Sequence, residues 1–308
     1  MYAVIDLGSN SFHLLIADYS GCGFSVVDRC SKKIQLADGL GLRGLLSQAA
    51  IERGISCLQF FKKILSQHPI KQLRVVATQA LRQAVNAGDF IDQAAKVGFE
   101  IEIISGKKEA ELIFRGICDP LPPCQSNRLV IDIGGASTEI AVGNDHDILF
   151  AESLHMGCIS WRDRFFPDGI EYGRQCAEAR QAAYSVLKPL LATLSAFQWN
   201  EVYASSGSAK MLATIARLNQ WSEGDIRGSS IASIEEAISQ VKRHDEISLK
   251  GLKQERQDLL APGMCIMATI IECLNIDRIA YSSTALREGI LGEISERRVG
   301  YQVPLARA

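Results

Sequence analysis

Two aspartates, Asp6 and Asp132, each stand at the end of an apolar run, one residue before a glycine-rich turn. The surrounding segments read V-I-D-L-G-S-N-S at residues 4–11 and V-I-D-I-G-G-A-S at residues 130–137. The turns, Gly8-Ser9-Asn10-Ser11 and Gly134-Gly135-Ala136-Ser137, present small residues, hydroxyls and backbone N–H groups, the composition of an anion-binding nest. The aspartates supply the sparse carboxylate oxygens that hydrated magnesium takes. One aspartate beside a glycine turn is ordinary turn chemistry, in which the side chain bonds the local backbone. Two in equivalent settings point to phosphate chemistry with a divalent cation. A third candidate phosphate site is Ser206-Gly207-Ser208, where a short strand breaks into a helix whose N-terminus attracts anions. Lys210 is expected in the first turn of that helix, close enough to assist.

Other chemistries find no support. No GxxxxGK[ST] loop occurs, which excludes a P-loop nucleotidase, and no GxSxG elbow supports Ser-His-Asp catalysis. The histidines (His13, His68, His146, His155, His244) are not paired at metal-ligand spacing. The nine cysteines, Cys22 among them, are scattered with none at CxxC spacing, so zinc and redox motifs fail. Free thiols in a reducing compartment are the simpler account. The formal net charge of −2 lacks the basic excess of a nucleic-acid binder.

The elements that must position these residues repeat once along the chain. Each Asp-Gly turn joins two β-like runs into a hairpin, the second runs being Phe12–Ala17 and Thr138–Val142. A third strand and alternating helices and strands follow in both halves, the signature of a duplicated domain. In the first half a helix is expected over Ser47 to His68, with Ile51, Ile55, Leu58, Phe61 and Leu65 on one face. A strand over 73–78 follows, then a helix carrying Leu81, Arg82 and Asn86, and the half closes with a helix from about Lys107. The proline-rich segment 119–127 reads as the linker. In the second half a long helix is expected near Glu171 to Ala196, and a strand at Val202–Ser205 runs into Ser206. A polar helical excursion then reaches about Gln257. A buried helix over Gly263–Leu274, a strand over Arg278–Ser282 and a final helix from Arg287 complete it. At 308 residues, with 47% apolar and 22% charged residues, the chain can fill two cores. Strands alternating with helices predict mixed sheets, hence an α/β protein. Domain I is expected over 1–120, with the final helix at about 286–300 packing back on it, and domain II over 128–285. A leader-like N-terminus and long apolar spans are not seen, which sets the expectation of a cytoplasmic location with no membrane partner.

The blocks VIDLGSNSFHLLI, ATQALRQAVNAGDFI, IISGKKEAELIFRGI and VIDIGGASTEIAVG, followed by SLHMGCISW, SSGSAKML, LLAPGMCIM and ALREGIL, stand in one order along nearly the whole chain. This series resembles the exopolyphosphatase / guanosine pentaphosphate phosphohydrolase family. The resemblance implies a duplicated actin-like (hexokinase-type) ATPase fold with phosphates bound in a cleft between two domains. It also implies roles. Glu109, alone readable as a solvated first-turn glutamate, corresponds to the family's catalytic carboxylate that orients or deprotonates the attacking water, while Glu111 falls on another helical face. Arg82 corresponds to a phosphate-contacting arginine, with Asn86 expected one helical turn further on. Glu139 corresponds to the carboxylate after Ser-Thr, which orders the metal's waters or the nucleophilic water, and is grouped with Asp6 and Asp132 at the magnesium. Arg256 and Arg287 lie in family blocks without an assigned role.

Longer members of the family carry a further helical C-terminal region, and a chain without it would offer less surface for threading long polyphosphate. The GGAST form of the second turn, with Ala136, is more like the guanosine pentaphosphate branch. The leading expectation is therefore hydrolysis of the terminal 5′-phosphate of guanosine 5′-triphosphate 3′-diphosphate. The alternatives are terminal phosphate removal from polyphosphate and, from another class, a non-catalytic alarmone sensor. The partner is then a small polyanion, not nucleic acid, and a homodimer follows only by analogy with two-domain members.

Overall fold

The run Tyr2–Leu7 forms the first strand, β1, buried along its length except at Asp6. Such a strand needs apolar residues on both faces, which is why it reads as a continuous run and not as an alternation. The computed structural model describes residues 1–19, 23–40 and 44–299; Cys22 lies outside them, and the cysteines within them are free. By contacts the chain divides into two units. The first comprises Met1–Ser105, Leu112–Pro120 and the described residues from Thr284 on; the second comprises Gly106–Glu111 and Leu121–Ser283.

In the first unit β1 is followed by β2 (Ser11–Tyr19), β3 (Phe24–Lys33), α1 (Gln48–Leu65), β4 (Gln72–Ala77), α2 (Gln79–Gln83), α3 (Ala87–Lys96), β5 (Ile101–Ile103) and, from Leu112 on, α4 (Gly106–Cys118), whose first residues fall in the second unit. Its five-stranded sheet has the order β3-β2-β1-β4-β5. The first three strands are antiparallel, whereas β4 and β5 run parallel to β1. Ser47 caps α1, accepting a hydrogen bond from the Ala50 amide at 3.2 Å, so the helix is slightly shorter than the expected Ser47–His68. It buries Ile51, Leu58 and Phe61 against the sheet.

The second unit repeats that plan with β6 (Asn127–Ile133), β7 (Thr138–Gly143), β8 (Ile148–Leu154), α5 (Cys158–Phe165), α6 (Tyr172–Leu194), β9 (Trp199–Ser205), α7 (Ser206–Leu218), α8 (Gly228–Ile238), α9 (Leu260–Leu274) and β10 (Ala280–Tyr281). Its sheet order, β10-β9-β6-β7-β8, is the same order read from the other edge. The duplicated, actin-like α/β fold follows from these two matching topologies. The helix expected from Gly263 begins at Leu260, because a proline such as Pro262 is tolerated in a first turn. The stretch Gln254–Leu274 is long and apolar enough to cross a membrane by length and composition, yet most of it is buried within this unit. The strand expected over Arg278–Ser282 shortens to Ala280–Tyr281; Arg278 instead donates to buried Asp225 at 2.8 Å. Helix α5 was not anticipated.

The final helix, α10 (Leu286–Val299), belongs to the first unit, where Glu293 accepts a hydrogen bond from buried Arg74 at 2.6 Å. It crosses α4 where two glycines meet. A Cβ on Gly116 would lie 1.9 Å from the Ala285 carbonyl oxygen, and one on Gly289 would lie 1.9 Å from that of Leu112. Backbone on both sides cannot give way, so an added methyl must separate the helices. Gly116→Ala and Gly289→Ala are each expected to destabilise the protein by about 1–3 kcal/mol. A Cβ on Gly88 meets nothing within 4 Å, so Gly88→Ala in α3 should be neutral or stabilising by up to about 1 kcal/mol. Thermal denaturation of the three variants checks this; equal melting temperatures would contradict it.

Candidate active site

Both Asp-Gly turns are built so that their carbonyls are occupied from one side. In the second unit the N-terminus of α5 abuts the turn: the Gly134 oxygen accepts from the Cys158 amide (2.9 Å), and the Gly135 oxygen from Ile159 (2.8 Å) and Ser160 (3.1 Å). In the first unit the Ser9 oxygen accepts from Ala37 (3.1 Å), and the Asn10 oxygen from Ile34 (2.9 Å) and Gln35 (2.8 Å). Within a planar trans peptide the C=O and the next N–H point opposite ways. The N–H groups of Gly135 and Ala136, and of Asn10 and Ser11, are therefore directed away from those partners, the arrangement of an anion nest. Only glycine fits at 157, where a Cβ would lie 2.5 Å from the Ala136 nitrogen and from the Gly135 carbonyl.

The carboxylates of the second unit sit beside its turn in a row that crosses four strands. Ser205, Asp132, Glu139 and Ser153 are successive register partners on β9, β6, β7 and β8. Asp132 and Glu139 are buried, at 7% and 2% exposure. Ser205 donates its hydroxyl to Asp132 Oδ2, and Ser153 donates to Glu139 Oε1 at 2.7 Å. Directly opposed like charges on neighbouring strands are destabilising, and burying them adds a desolvation cost. A divalent cation relieves both. Among the described residues no group of three or more His, Cys, Asp or Glu side chains could hold a metal, so a closed protein cage is not what this site offers. Two carboxylates, with water and phosphate supplying the rest, fit magnesium. In the first unit the matching row is Val76, Asp6, His13 and Ser31; Asp6 is half-buried there, and its register partners are a valine and a histidine.

At the third candidate site β9 passes directly into α7 at Ser206. Ser206 adopts a left-handed conformation (φ 70°), unusual for a residue with a Cβ, and its hydroxyl bonds the Ile133 carbonyl. Ser208 is buried. The Arg256 guanidinium lies against Gly207, where a Cβ would come within 2.4 Å of Nη1 and 2.5 Å of Nη2. Sequence reading left Arg256 unassigned; the legible signal was the glycine, whose missing side chain admits the guanidinium to the helix N-terminus. Lys210, expected in the first turn of α7, lies one turn in and is exposed. Burial pushes the Cys158 thiol up against the opposing pull of the Ser208 hydroxyl and of Arg256 and Arg162, so Cys158 is a neutral packing group at the start of α5.

Arg82 lies in the last turn of α2 with its guanidinium held by the side chain of buried Gln79 (Nε to Oε1, 3.0 Å) and the Ile104 carbonyl (2.8 Å). Asn86 is not a helical turn further on. Helix α2 stops at Gln83, Ala84 is extended, and Asn86 is the N-cap of α3. Its amide pins Leu46 through both backbone groups, at 2.8 and 3.1 Å, a structural role. Glu109, in the first turn of α4, is only 6% exposed. It is thus no solvated surface glutamate, whereas Glu111 is partly exposed.

Because Ser206 combines an unfavourable φ with a compensating hydrogen bond, two substitutions should separate them. Ser206→Ala keeps the strain and loses the bond, and is expected to cost about 1–2 kcal/mol. Ser206→Gly loses both and should stay within about 0.5 kcal/mol of wild type. Denaturant unfolding reads the difference; glycine as destabilising as alanine would contradict it.

Residues 15–298 match the Ppx/GppA phosphatase family. A Haemophilus influenzae protein named "Putative exopolyphosphatase" is 39% identical over 307 residues, covering 99% of this chain and 94% of that protein. An Aeromonas salmonicida protein named guanosine-5'-triphosphate,3'-diphosphate pyrophosphatase is 37% identical over 295 residues. That match covers 94% of this chain and 58% of the Aeromonas protein, so the chain spans little more than half its length. Among solved structures, an exopolyphosphatase from Cytophaga hutchinsonii superposes with a TM-score of 0.87 at 25% identity, covering 96% of this chain and 98% of that one. A Ppx/GppA family member from Aquifex aeolicus superposes at 0.80 with 21% identity, covering 96% and 98%, a likeness in fold. With the family match running across both units, this chain belongs to the Ppx/GppA phosphatases and is a phosphoanhydride hydrolase.

Proposed function

We propose that the chain removes the terminal 5′-phosphate of guanosine 5′-triphosphate 3′-diphosphate, releasing inorganic phosphate and the tetraphosphate. The observation that carries the reading is the buried Asp132–Glu139 pair beside the turn Gly134–Ser137, whose Gly134 and Gly135 carbonyls are taken up by α5. A cation-binding pair and an N–H nest side by side suit a chain of phosphates and little else. The Aeromonas relative's name and the Ala136 form of the turn favour the guanosine substrate. A second reading, release of terminal phosphate from polyphosphate, draws on the Haemophilus relative, which matches over its near-full length, and on the Cytophaga structure.

In this reading Glu109 orients the attacking water and accepts its proton as the oxygen attacks the terminal phosphorus in line. The bond to the bridging oxygen breaks, its electron pair passing to the tetraphosphate, and the attacked phosphoryl group is released as inorganic phosphate. Such a loose transition state asks for positioning and charge neutralisation more than for a strong base. The Gly135 and Ala136 N–H groups hold phosphate oxygens, and Arg256 at Gly207 adds a cation at the head of α7. In the first unit Arg82 and the turn Gly8–Ser11 offer the same kind of contact. Asp132 and Glu139 would hold magnesium, with Asp6 as the first unit's counterpart; the ion, when bound, would neutralise charge on the phosphate oxygens. Free cysteines suit a reducing, cytoplasmic setting.

Phosphate release from guanosine pentaphosphate and from polyphosphate, measured side by side with magnesium, tests the reading. The expected result is faster release from the nucleotide, with Glu109→Gln reducing kcat by roughly 10²–10⁴-fold. Preference for polyphosphate would install the second reading. Nucleotide binding without release from either substrate would overturn both in favour of a sensor.

A further inference from the structure

Four side chains stand in register across β9, β6, β7 and β8: hydroxyl, carboxylate, carboxylate, hydroxyl. The two acids occupy the centre and the two serines the flanks, each serine donating outward-in to its neighbour. The Ser205 hydroxyl is buried at a junction that also shapes the α7 turn, so its contribution to the acids is mixed with a contribution to the loop. Ser153 is different. It lies on edge strand β8, removed along the chain from every phosphate-binding turn, and its hydroxyl reaches Glu139 Oε1 at 2.7 Å.

A glutamate carboxylate rotates broadly about its last torsion. On a two-carboxylate site a rotation of one ligand changes both the distance and the lone-pair direction offered to the ion. A hydroxyl fixed to Oε1 removes that freedom. Groups that orient metal ligands in this way usually matter nearly as much as the ligands. We infer that Ser153 is a positioning residue: by holding Oε1 of Glu139 it sets the carboxylate plane that the divalent cation meets. The inference rests on the reading of Asp132 and Glu139 as the cation-binding pair. It assigns to Ser153, which opens the SLHMGCISW block, a part in the chemistry that the order of blocks along the chain does not reveal, because the link is cross-strand. The equivalent register position in the first unit, Ser31, faces His13 and not a carboxylate, so the device belongs to the second unit alone.

The test uses the full chain and the variants Ser153→Ala and Ser153→Thr, with two readouts: Mn2+ binding followed by electron paramagnetic resonance, and steady-state phosphate release with magnesium. Threonine keeps the hydroxyl and suits a strand. Ser153→Ala is expected to weaken Mn2+ binding by roughly tenfold and to lower kcat by roughly 10–100-fold with little change in KM. Ser153→Thr should recover both to within about threefold of wild type, the hydroxyl bond being retained. Unchanged Mn2+ affinity in Ser153→Ala would overturn the inference, as would equal defects in alanine and threonine, since packing alone would then explain them. If the wild-type chain released no phosphate, the functional reading would fall while the Mn2+ measurement still decided the role of Ser153.

Discussion

Two carboxylates held opposite each other on adjacent strands, both out of water, impose the constraint around which the second unit is arranged. Asp132 and Glu139 cannot separate, because they are register partners in an antiparallel pair. They cannot both be comfortable as anions there without a counter-charge or a shared proton. Everything adjacent answers to that demand. Serines donate from either flank, and the following turn has its carbonyls taken up by α5, so that peptide N–H groups, not oxygens, face the other way. A turn with its carbonyls taken up and its N–H groups turned outward, beside an acidic pair, suits an anion that brings its own cation. A polyphosphate group with its cation satisfies both halves at once.

The duplication gives the two units one topology but not one chemistry. Register position for position, Glu139 corresponds to His13 and Ser205 to Val76. The first unit keeps the aspartate and the turn; the acidic pair is confined to the second. The junction at Ser206 shows the same specialisation: a left-handed serine is tolerated because its hydroxyl bonds Ile133, tying the end of β6 to the start of α7. That tie lies next to the bond between Ser205 and Asp132, so backbone strain and carboxylate placement are secured by consecutive residues.

Much of this was legible in the sequence, for identifiable reasons. The echo of V-I-D-L-G-S-N-S in V-I-D-I-G-G-A-S marked both hairpins, since a buried strand followed by a glycine turn is a local pattern. Helix α1 was legible from its apolar period and from Ser47 at its head. What escaped depended on distant partners. Asn86 sits four residues after Arg82, yet the chain turns extended at Ala84 and the helix ends. Helix α5 is short and mixed in character, and its start is defined by the carbonyls of residues 134 and 135. The roles of Arg256 and Ser153 come from contacts with Gly207 and Glu139, and no spacing along the chain encodes either.

The claim at the centre is that the acidic pair is a cation site whose ligands are destabilising without the ion. Thermal unfolding of the wild type and of Glu139→Gln, with and without magnesium, tests it most directly, because glutamine can still accept from Ser153. Relief of the like-charge pair predicts that Glu139→Gln is as stable as the wild type or more so in the absence of metal. It also predicts that magnesium raises the melting temperature of the wild type and leaves the variant nearly unmoved. A variant less stable without metal, yet stabilised by magnesium as strongly as the wild type, would contradict the account.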